Sequence, residues 1–367
     1  MTQATLERPV AVENKAKAIP EDRFVRNAWY VGLWADELPE GKLVHQTILN
    51  EPVVFFRKED GSPAAIVDRC SHRFAPLSMG KLLPGNRVQC GYHGLEFDSM
   101  GKCVHNPHGN CSIPAASHLK GYPVVERHKF IWIWMGDGVA DPSKIPDYSC
   151  LDTSPDEHIT DAGYLMIKAH YELIVDNLLD LSHTTYVHEG ILGNSDTVVA
   201  DIAVEQAGDV ITVARPSKDT VTPGMLQMLS PKGYERGDQW STISWYAPSN
   251  LILEYGVSKV GEAKEKGTGY LALHLITPET PRSTHYRFRA VRWNVQTEGD
   301  ENNEKIRAKI GELRTFAFAE QDAPIIEAQQ RRMDSVSDPL VPTLLAIDAG
   351  PVRYRRVLDR MLSEENR

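Results

Sequence analysis

The sequence is short of several things, and each shortage narrows what the chain can be. It has no run of eighteen apolar residues, so no segment reads as a membrane-spanning helix. Basic residues are outnumbered: 40 Lys and Arg stand against 50 Asp and Glu. The net charge of −10 argues against nucleic acid or an anionic membrane as partner. Only five cysteines are present, an odd number that offers no disulfide framework in 367 residues. The first 22 residues are polar and charged, without the apolar stretch of a secretory signal. Both features predict a cytoplasmic, reduced protein. No internal repeat or low-complexity segment is visible. What remains is the composition of a water-soluble globular protein, 41% hydrophobic and 25% charged, long enough for two domains and a full core.

Two short pieces stand out. Cys70-Ser71-His72 and Cys90-Gly91-Tyr92-His93 read C-x-H and C-x2-H, with seventeen residues between them. Two Cys and two His form the ligand set of a Rieske [2Fe–2S] centre, in which thiolates hold one iron and imidazoles the other. A Cys2His2 zinc site uses the same atoms. Zinc fingers, however, pair Cys with Cys and His with His along the chain. Here each arm brings one of each, as two opposed loops around a cluster require. Cys103-Val104-His105 repeats C-x-H, but Cys111 has no His two residues on, so that pair lacks its second arm. His105 and His108 are expected to hydrogen-bond within their own loop.

The pattern divides the chain into a tail, 1–23, and domains at 24–148 and 149–367. The first domain carries short apolar runs such as Val53-Val54-Phe55-Phe56, Ala64-Ala65-Ile66-Val67 and Phe130-Ile131-Trp132-Ile133-Trp134, broken by Gly, Pro and Asn. Lys58-Glu59-Asp60-Gly61 reads as a hairpin turn. This predicts an all-β domain with the Cys/His loops at its tips. In the second domain, 171–188 has helical spacing. Strands are predicted at 197–214, 240–257 and 269–292, a long helix over 301–333 and a closing amphipathic helix near Val352–Leu362. The glycine-rich stretch 259–269 reads as a solvated hairpin loop.

A second constellation lies in Asn177-Leu-Leu-Asp180-Leu-Ser-His183-Thr-Thr-Tyr-Val-His188. On one continuous helix, Asn177, Asp180, His183 and His188 would share an arc of roughly 140°. Two imidazoles and one carboxylate make the facial triad that holds non-haem Fe(II) with positions open for O2. The carboxylate must come from later in the chain. Asp322 and Glu320 compete, and Pro324 places Asp322 near a helix start. Asp180 is expected to accept the N–H of His183 and fix its tautomer. His274, and Leu251, Leu253 and Tyr255 on one strand face, are candidates for a substrate pocket, with core packing an equal alternative.

With these motifs the chain resembles the Rieske non-haem iron oxygenases, from Phe24 to its end, in the branch of vanillate and dicamba O-demethylases and toluenesulfonate methyl-monooxygenase. Phe24-Val-Arg-Asn-Ala-Trp-Tyr30, His72-Arg-Phe-Ala-Pro-Leu77, His93-Gly-Leu-Glu-Phe97 and Leu275-Ile-Thr-Pro-Glu-Thr280 carry the likeness beyond the ligands. One departure is Gly91, where the family commonly has Pro. The resemblance implies an α+β protein: a Rieske domain followed by a catalytic domain of helix-grip type, a curved antiparallel sheet packed with helices. It favours Asp322 as the third iron ligand, places Asn177 beside the iron without binding it, and puts His274 against substrate. It implies a homotrimer in which His93 of one chain passes electrons through Asp180 of the next to His183. A ferredoxin or flavin reductase would deliver electrons from NAD(P)H. The expected reaction is monooxygenation of a small aromatic substrate with O2, either O-demethylation of a methoxyarene or hydroxylation of an aryl methyl. Arene cis-dihydroxylation is the alternative within enzymes, and a plain electron carrier the alternative outside them.

Overall fold

The computed structural model describes residues 23–230, 234–297, 299–336 and 340–365. Most of the predicted tail, 1–22, lies outside the described residues. Arg23, its last member, is tied down: its Nε lies 2.6 Å from Glu172 and its Nη2 2.5 Å from Asp359.

The first half is all-β, as its apolar runs and turn residues imply. Trp29–Trp34, Phe130–Trp134 and Val124–Arg127 form one three-stranded sheet. Val44–Ile48, Glu51–Arg57, Pro63–Val67 and Gly121–Tyr122 form a second. The turn at Lys58–Gly61 closes with Lys58 N–H to the Ser62 carbonyl and Gly61 N–H to the Lys58 carbonyl, both at 2.9 Å. Gly61 supplies the positive φ of 80° the turn needs. A third, small sheet (Lys81–Leu83, Arg87–Gln89, Glu96–Phe97, Cys103–His105) carries one of the Cys/His loops between two of its strands.

The second half is built on a seven-stranded antiparallel sheet. Its strands are β1 (Gly163–Ile167), β2 (Ala203–Ala207), β3 (Val210–Val221), β4 (Arg236–Tyr246), β5 (Asn250–Ser258), β6 (Thr268–Thr280) and β7 (Ser283–Trp293), in the order β1-β7-β6-β5-β4-β3-β2. Each predicted strand stretch is thus a hairpin or part of one. The 197–214 segment starts later than its β-branched content implies. Residues 195–197 form a helical turn instead, because Asn194 accepts the N–H of Asp196 at 3.0 Å. Gly208, at φ 61°, then turns β2 back into β3.

Helices cover this sheet: α1 (Tyr171–Leu179), the single turn α2 (Thr184–Val187), α3 (Gly224–Leu229), α4 (Asp300–Phe316), α5 (Ala323–Asp334) and α6 (Ala349–Glu365). The closing helix packs through Tyr354, Val357 and Leu358, and the Tyr354 hydroxyl donates to Asp176 Oδ1 at 2.9 Å. One prediction needs correcting: the 171–188 helix breaks at Asp180. The 301–333 stretch is helical throughout, but it runs through a π-helical segment, Ala317–Asp322, between α4 and α5. Both irregularities fall where the chemistry does.

The two halves share their core. Trp29, Trp132 and Trp134 of the first sheet pack in one buried cluster with Leu273, Leu275 and Val291 of β6 and β7. Main-chain bonds run across the same seam: Leu49 N–H to the Pro278 carbonyl at 3.0 Å and Asn50 N–H to the Glu279 carbonyl at 2.9 Å. Thr277 Oγ1 donates to the Val31 carbonyl at 2.8 Å.

Candidate metal centres

The two Cys/His loops have the same backbone design. Cys70 N–H donates to the Ala75 carbonyl at 2.9 Å, and Cys90 N–H donates to the Leu95 carbonyl at 2.8 Å. In return the Cys70 carbonyl accepts from Phe74 N–H at 2.9 Å and the Cys90 carbonyl from Gly94 N–H at 3.0 Å. Phe74 and Gly94, four residues after their cysteines, both have positive φ, 60° and 72°. Each loop therefore buries its thiol and turns its imidazole outward. Cys70 and Cys90 are buried and their thiols adjoin, while the His72 and His93 rings stand 4.6 Å apart at the surface. Burial pushes the Cys70 thiol up to about 11, with Cys90 adding to the shift, so metal binding there must release protons. That donor set and layout fit a [2Fe–2S] cluster.

Gly91 is closely packed: a Cβ there would sit 3.0 Å from the Met79 carbonyl oxygen. His108 departs from expectation: its Nε2 bonds the main-chain carbonyl of His93 at 2.8 Å, bracing the second loop. Cys103 is buried with its Sγ 3.7 Å from the His105 carbonyl, and His105 faces solvent, so the second C-x-H assembles nothing.

The other centre forms where α1 stops. Asp180 leaves the helix with φ −89° and ψ 87°, and its carboxylate accepts the Ser182 N–H at 2.9 Å and the Ser182 hydroxyl. This Asx turn competes with the helix and ends it. The four-residue arc drawn on a continuous helix is therefore not the geometry that joins these residues. Nor does the Asp180 carboxylate hold His183: the main-chain carbonyl of Asp180 accepts the Nδ1–H instead. Either way His183 Nε2 is left free. On the other ring, His188 Nδ1 donates to Gln321 Oε1 at 2.8 Å, freeing its Nε2 likewise.

Both free nitrogens face Asp322, at 3.7 Å for His183 and 3.2 Å for His188, and the three ligand atoms lie within 4.8 Å of one another. Asp322 does not sit at a free helix start as Pro324 implied. It ends the π segment inside a continuous helix, with helical φ and ψ and no capping bond. Glu320 faces solvent. Asn177 Nδ2 donates to Asp322 Oδ1 at 3.2 Å and so stands beside the triad. Burial lowers the pKa of His183 despite the opposing charge of Asp322. Burial acts the same way on His188, but the hydrogen bond and charge of Asp322, helped by Gln321, outweigh it and raise its pKa. Two His Nε2 and one carboxylate, each with its other polar atoms engaged, fit a facial-triad iron.

A cavity opens at the triad. His274, Leu253 and Tyr255 line it with His183, His188 and Asp322. Leu251 shares the strand face but lies outside the cavity, fully buried in the main core with Ile243 and Trp245. Tyr255 presents its ring, since its hydroxyl donates to the Leu192 carbonyl at 2.8 Å. Sequence reasoning missed three residues here. Gln321 orients His188. Arg215, from β3, donates to the Leu181 carbonyl at 2.7 Å and Thr185 Oγ1 at 3.2 Å, bracing the segment that carries both histidines. Arg314, from α4, lines the cavity. Gln321 had a weak signal in its adjacency to Asp322; the arginines had none.

With that geometry in place, comparison with known proteins is decisive. Residues 28–123 match the Rieske [2Fe-2S] domain, and residues 167–364 match the vanillate O-demethylase oxygenase C-terminal domain. The chain belongs to the Rieske non-haem iron oxygenases. Within that family it is 38% identical to the oxygenase component of dicamba O-demethylase from Stenotrophomonas maltophilia, covering 92% of this chain and 98% of the relative. It is 36% identical to a toluene-4-sulfonate monooxygenase iron–sulfur subunit of Comamonas testosteroni, covering 94% and 98%. The crystal structure of dicamba monooxygenase bound to 3,6-dichlorosalicylic acid superposes with a TM-score of 0.84 at 35% identity, over 94% of this chain and 99% of that one. This Rieske oxygenase is therefore the oxygenase component of a monooxygenase system, carrying a [2Fe–2S] cluster and a non-haem iron and drawing electrons from a separate donor. No helix of the described residues is long and apolar enough to cross a membrane.

Proposed function

We propose that this oxygenase removes a methyl group from a methoxyarene or hydroxylates an aryl methyl. Cys70, His72, Cys90 and His93 hold its cluster, and His183, His188 and Asp322 hold its iron. The observation that carries the reading is the convergence of His183 Nε2, His188 Nε2 and the Asp322 carboxylate at one wall of a largely apolar, aromatic cavity. When bound, the iron and the cluster supply oxygen activation and single-electron delivery.

The chain's own residues supply the rest. The main-chain carbonyl of Asp180 and the amide of Gln321 hold both imidazoles in the tautomer that leaves Nε2 a lone pair. Asn177 holds one carboxylate oxygen of Asp322. Leu253 and the Tyr255 ring keep water from the face where the aromatic ring lies. With O2, two electrons and two protons, an ether methyl gives a phenol, formaldehyde and water; an aryl methyl gives a benzylic alcohol and water.

The electron donor in this reading is a ferredoxin or flavin reductase fed by NAD(P)H. The assembly is a homotrimer in which half-buried His93 meets half-buried Asp180 of a neighbouring copy. All five cysteines are unpaired, which supports a reducing cytoplasm. The test is metal analysis and low-temperature EPR on protein purified without oxygen, followed by turnover of methoxy- and methylarenes with a reductase. About three irons per chain, a Rieske-type reduced signal and formaldehyde or benzylic alcohol are expected. Zinc in place of iron, with no visible band, would overturn the assignment of these ligands.

A further inference from the structure

Four arginines in the described residues are fully buried: Arg215, Arg287, Arg292 and Arg314. Three have polar partners. Arg215 grips the loop carrying the histidines, Arg287 pairs with Glu37 at 3.2 Å, and Arg292 bonds Asn303 and Thr297. Arg314 makes no hydrogen bond or ion pair with any described residue, and its Nη2 is buried without a partner. Its guanidinium lies only over aromatic faces, 5.4 Å from the Phe288 centroid and 5.3 Å from Phe318. A buried charge with no counter-charge costs several kcal/mol in general, so its retention calls for a partner that the folded chain does not contain.

The cavity around it has the same bias. Four residues that line it carry a buried nitrogen with no partner: Arg314 Nη2, Arg215 Nε, Trp240 Nε1 and His274 Nε2. The first three are N–H donors by chemistry. His274 becomes a fourth when its Nδ1 accepts the Tyr286 hydroxyl, 2.6 Å away, which leaves the proton on Nε2. The one carboxylate in the wall is Asp322, which is committed to the triad. A divalent iron held by one carboxylate and two neutral imidazoles keeps a net positive charge. Arg314 adds another. The cavity thus offers unpartnered donors and positive charge, and no second carboxylate to balance them.

We infer that Arg314 is a specificity-determining residue that receives an oxyanion, a carboxylate or sulfonate carried by the aromatic substrate. The inference rests on this cavity being the substrate cavity proposed above. Phe318 connects the two functions physically. It lies one helical turn after Arg314 and four residues before Asp322, its ring under the guanidinium and edge-on to His274 at 5.6 Å. An aromatic ring stacked in this corner would have its anionic substituent against Arg314 and the His274 Nε2–H. Hydrogen bonds to charged groups in a desolvated site are worth enough to change affinity by on the order of ten- to a hundredfold.

The experiment uses the iron-loaded oxygenase and two shape-matched probe pairs that differ in charge: 4-methoxybenzoate against 4-methoxybenzamide, and toluene-4-sulfonate against toluene-4-sulfonamide. Binding is measured by anaerobic calorimetry. At least one anion is expected to bind tenfold or more tightly than its amide. Arg314→Met should erase that preference while leaving amide affinity within about threefold, and Arg314→Lys should keep part of it. Where a probe turns over, the loss in Arg314→Met should fall on KM rather than kcat. Arg314→Met should melt no lower than the parent, because it removes an unpaired buried charge. Equal affinity within both pairs, preference for the amides, no saturable anion binding at millimolar concentration, or an anion preference that survives in Arg314→Met would each overturn the assignment. Iron content and the reduced-cluster signal of the same samples report separately on the parent reading. Full metal loading without anion preference sinks Arg314's role alone.

Discussion

At the scale of single residues, the proposed iron triad of His183, His188 and Asp322 depends on groups outside it. Gln321 fixes one imidazole, Asn177 one carboxylate oxygen, and the Asp180 carbonyl the other imidazole. Gln321→Leu is expected to weaken Fe(II) binding by about 10- to 100-fold, measured by chelator competition, and to leave the reduced-cluster EPR signal unchanged. Asp180→Asn is a different test. Asparagine keeps the acceptor for the Ser182 N–H and cannot disturb the main-chain bond to His183, so both metals should stay. Coupled turnover should fall sharply, because the proposed bridge from a neighbouring His93 runs through that carboxylate. Unimpaired product formation per reductant consumed in Asp180→Asn would sink the bridge. The proposed ligand residues, which the structure brings together, were largely legible in the sequence. Cys70 and His72 are separated by one residue and Cys90 and His93 by two, within loops where spacing alone constrains geometry. Asp322 was legible only with the help of the family resemblance. Arg215 and Arg314 reach the site from a strand and a helix far along the chain, and no local pattern distinguishes them from surface arginines.

At the scale of elements, two helix irregularities aim the site, and both escape a periodicity argument. A wheel with 100° per residue placed Asn177, Asp180, His183 and His188 on one face, and it reached the right residues through a helix that stops at Leu179. The break is written in Asp180 and Ser182, as an Asx turn, but the same residues also occur in unbroken helices. The π segment Ala317–Asp322 lets neighbours Gln321 and Asp322 both serve the triad, one behind His188 and one before it. Such segments act as one-residue insertions in an α-helix. Inserting one alanine after Ala319 should rotate Asp322 by roughly 100° relative to α4 and abolish iron binding. Far-ultraviolet circular dichroism and the cluster signal should persist; iron retained in that variant would show that the segment does not aim the ligand.

The start of α1 carries a pH dependence. His170 accepts the Glu172 N–H at 3.3 Å as the helix cap, and burial pushes its pKa down to about 3. An unfolded imidazole titrates near ~6.5. Between these values the unfolded chain binds the proton and the folded chain does not, so stability falls as pH drops from about 6.5 toward 3. The slope from this group is at most about 1.4 kcal/mol per pH unit. His170→Asn keeps a good capping acceptor and removes the titration, so its melting temperature should decline less than the parent's between pH 6.5 and 4.5. Parallel curves for the two proteins would remove His170 from the acid response.

At the scale of the whole molecule, composition and motif order gave an all-β half followed by a mixed half, and that order is what the chain adopts. What they could not give is the seam. The Trp29–Trp132–Trp134 cluster packs on β6 and β7, and main-chain bonds join Leu49 and Asn50 to the Pro278–Glu279 end of β6. Alternating tryptophans in a strand announce burial without naming what buries them. A shared core predicts one cooperative unfolding transition in calorimetry, with the visible band of the cluster lost in the same step as far-ultraviolet ellipticity. Two resolved transitions would mean the halves fold independently.

That seam also bears on how such a protein can be inherited or rebuilt. The cluster loops and the iron pocket look like interchangeable modules when read from their motifs, one early in the chain and one late. Yet a graft cut in the Pro- and Asp-rich stretch near residue 148 would leave three tryptophans facing a foreign sheet and orphan the hydrogen bonds at Leu49 and Asn50. A working chimera would have to bring the matching faces of β6 and β7 with its new first half. Recombination between relatives should therefore favour exchanges that leave both sides of this contact with one parent, and the chain is in effect a single heritable part.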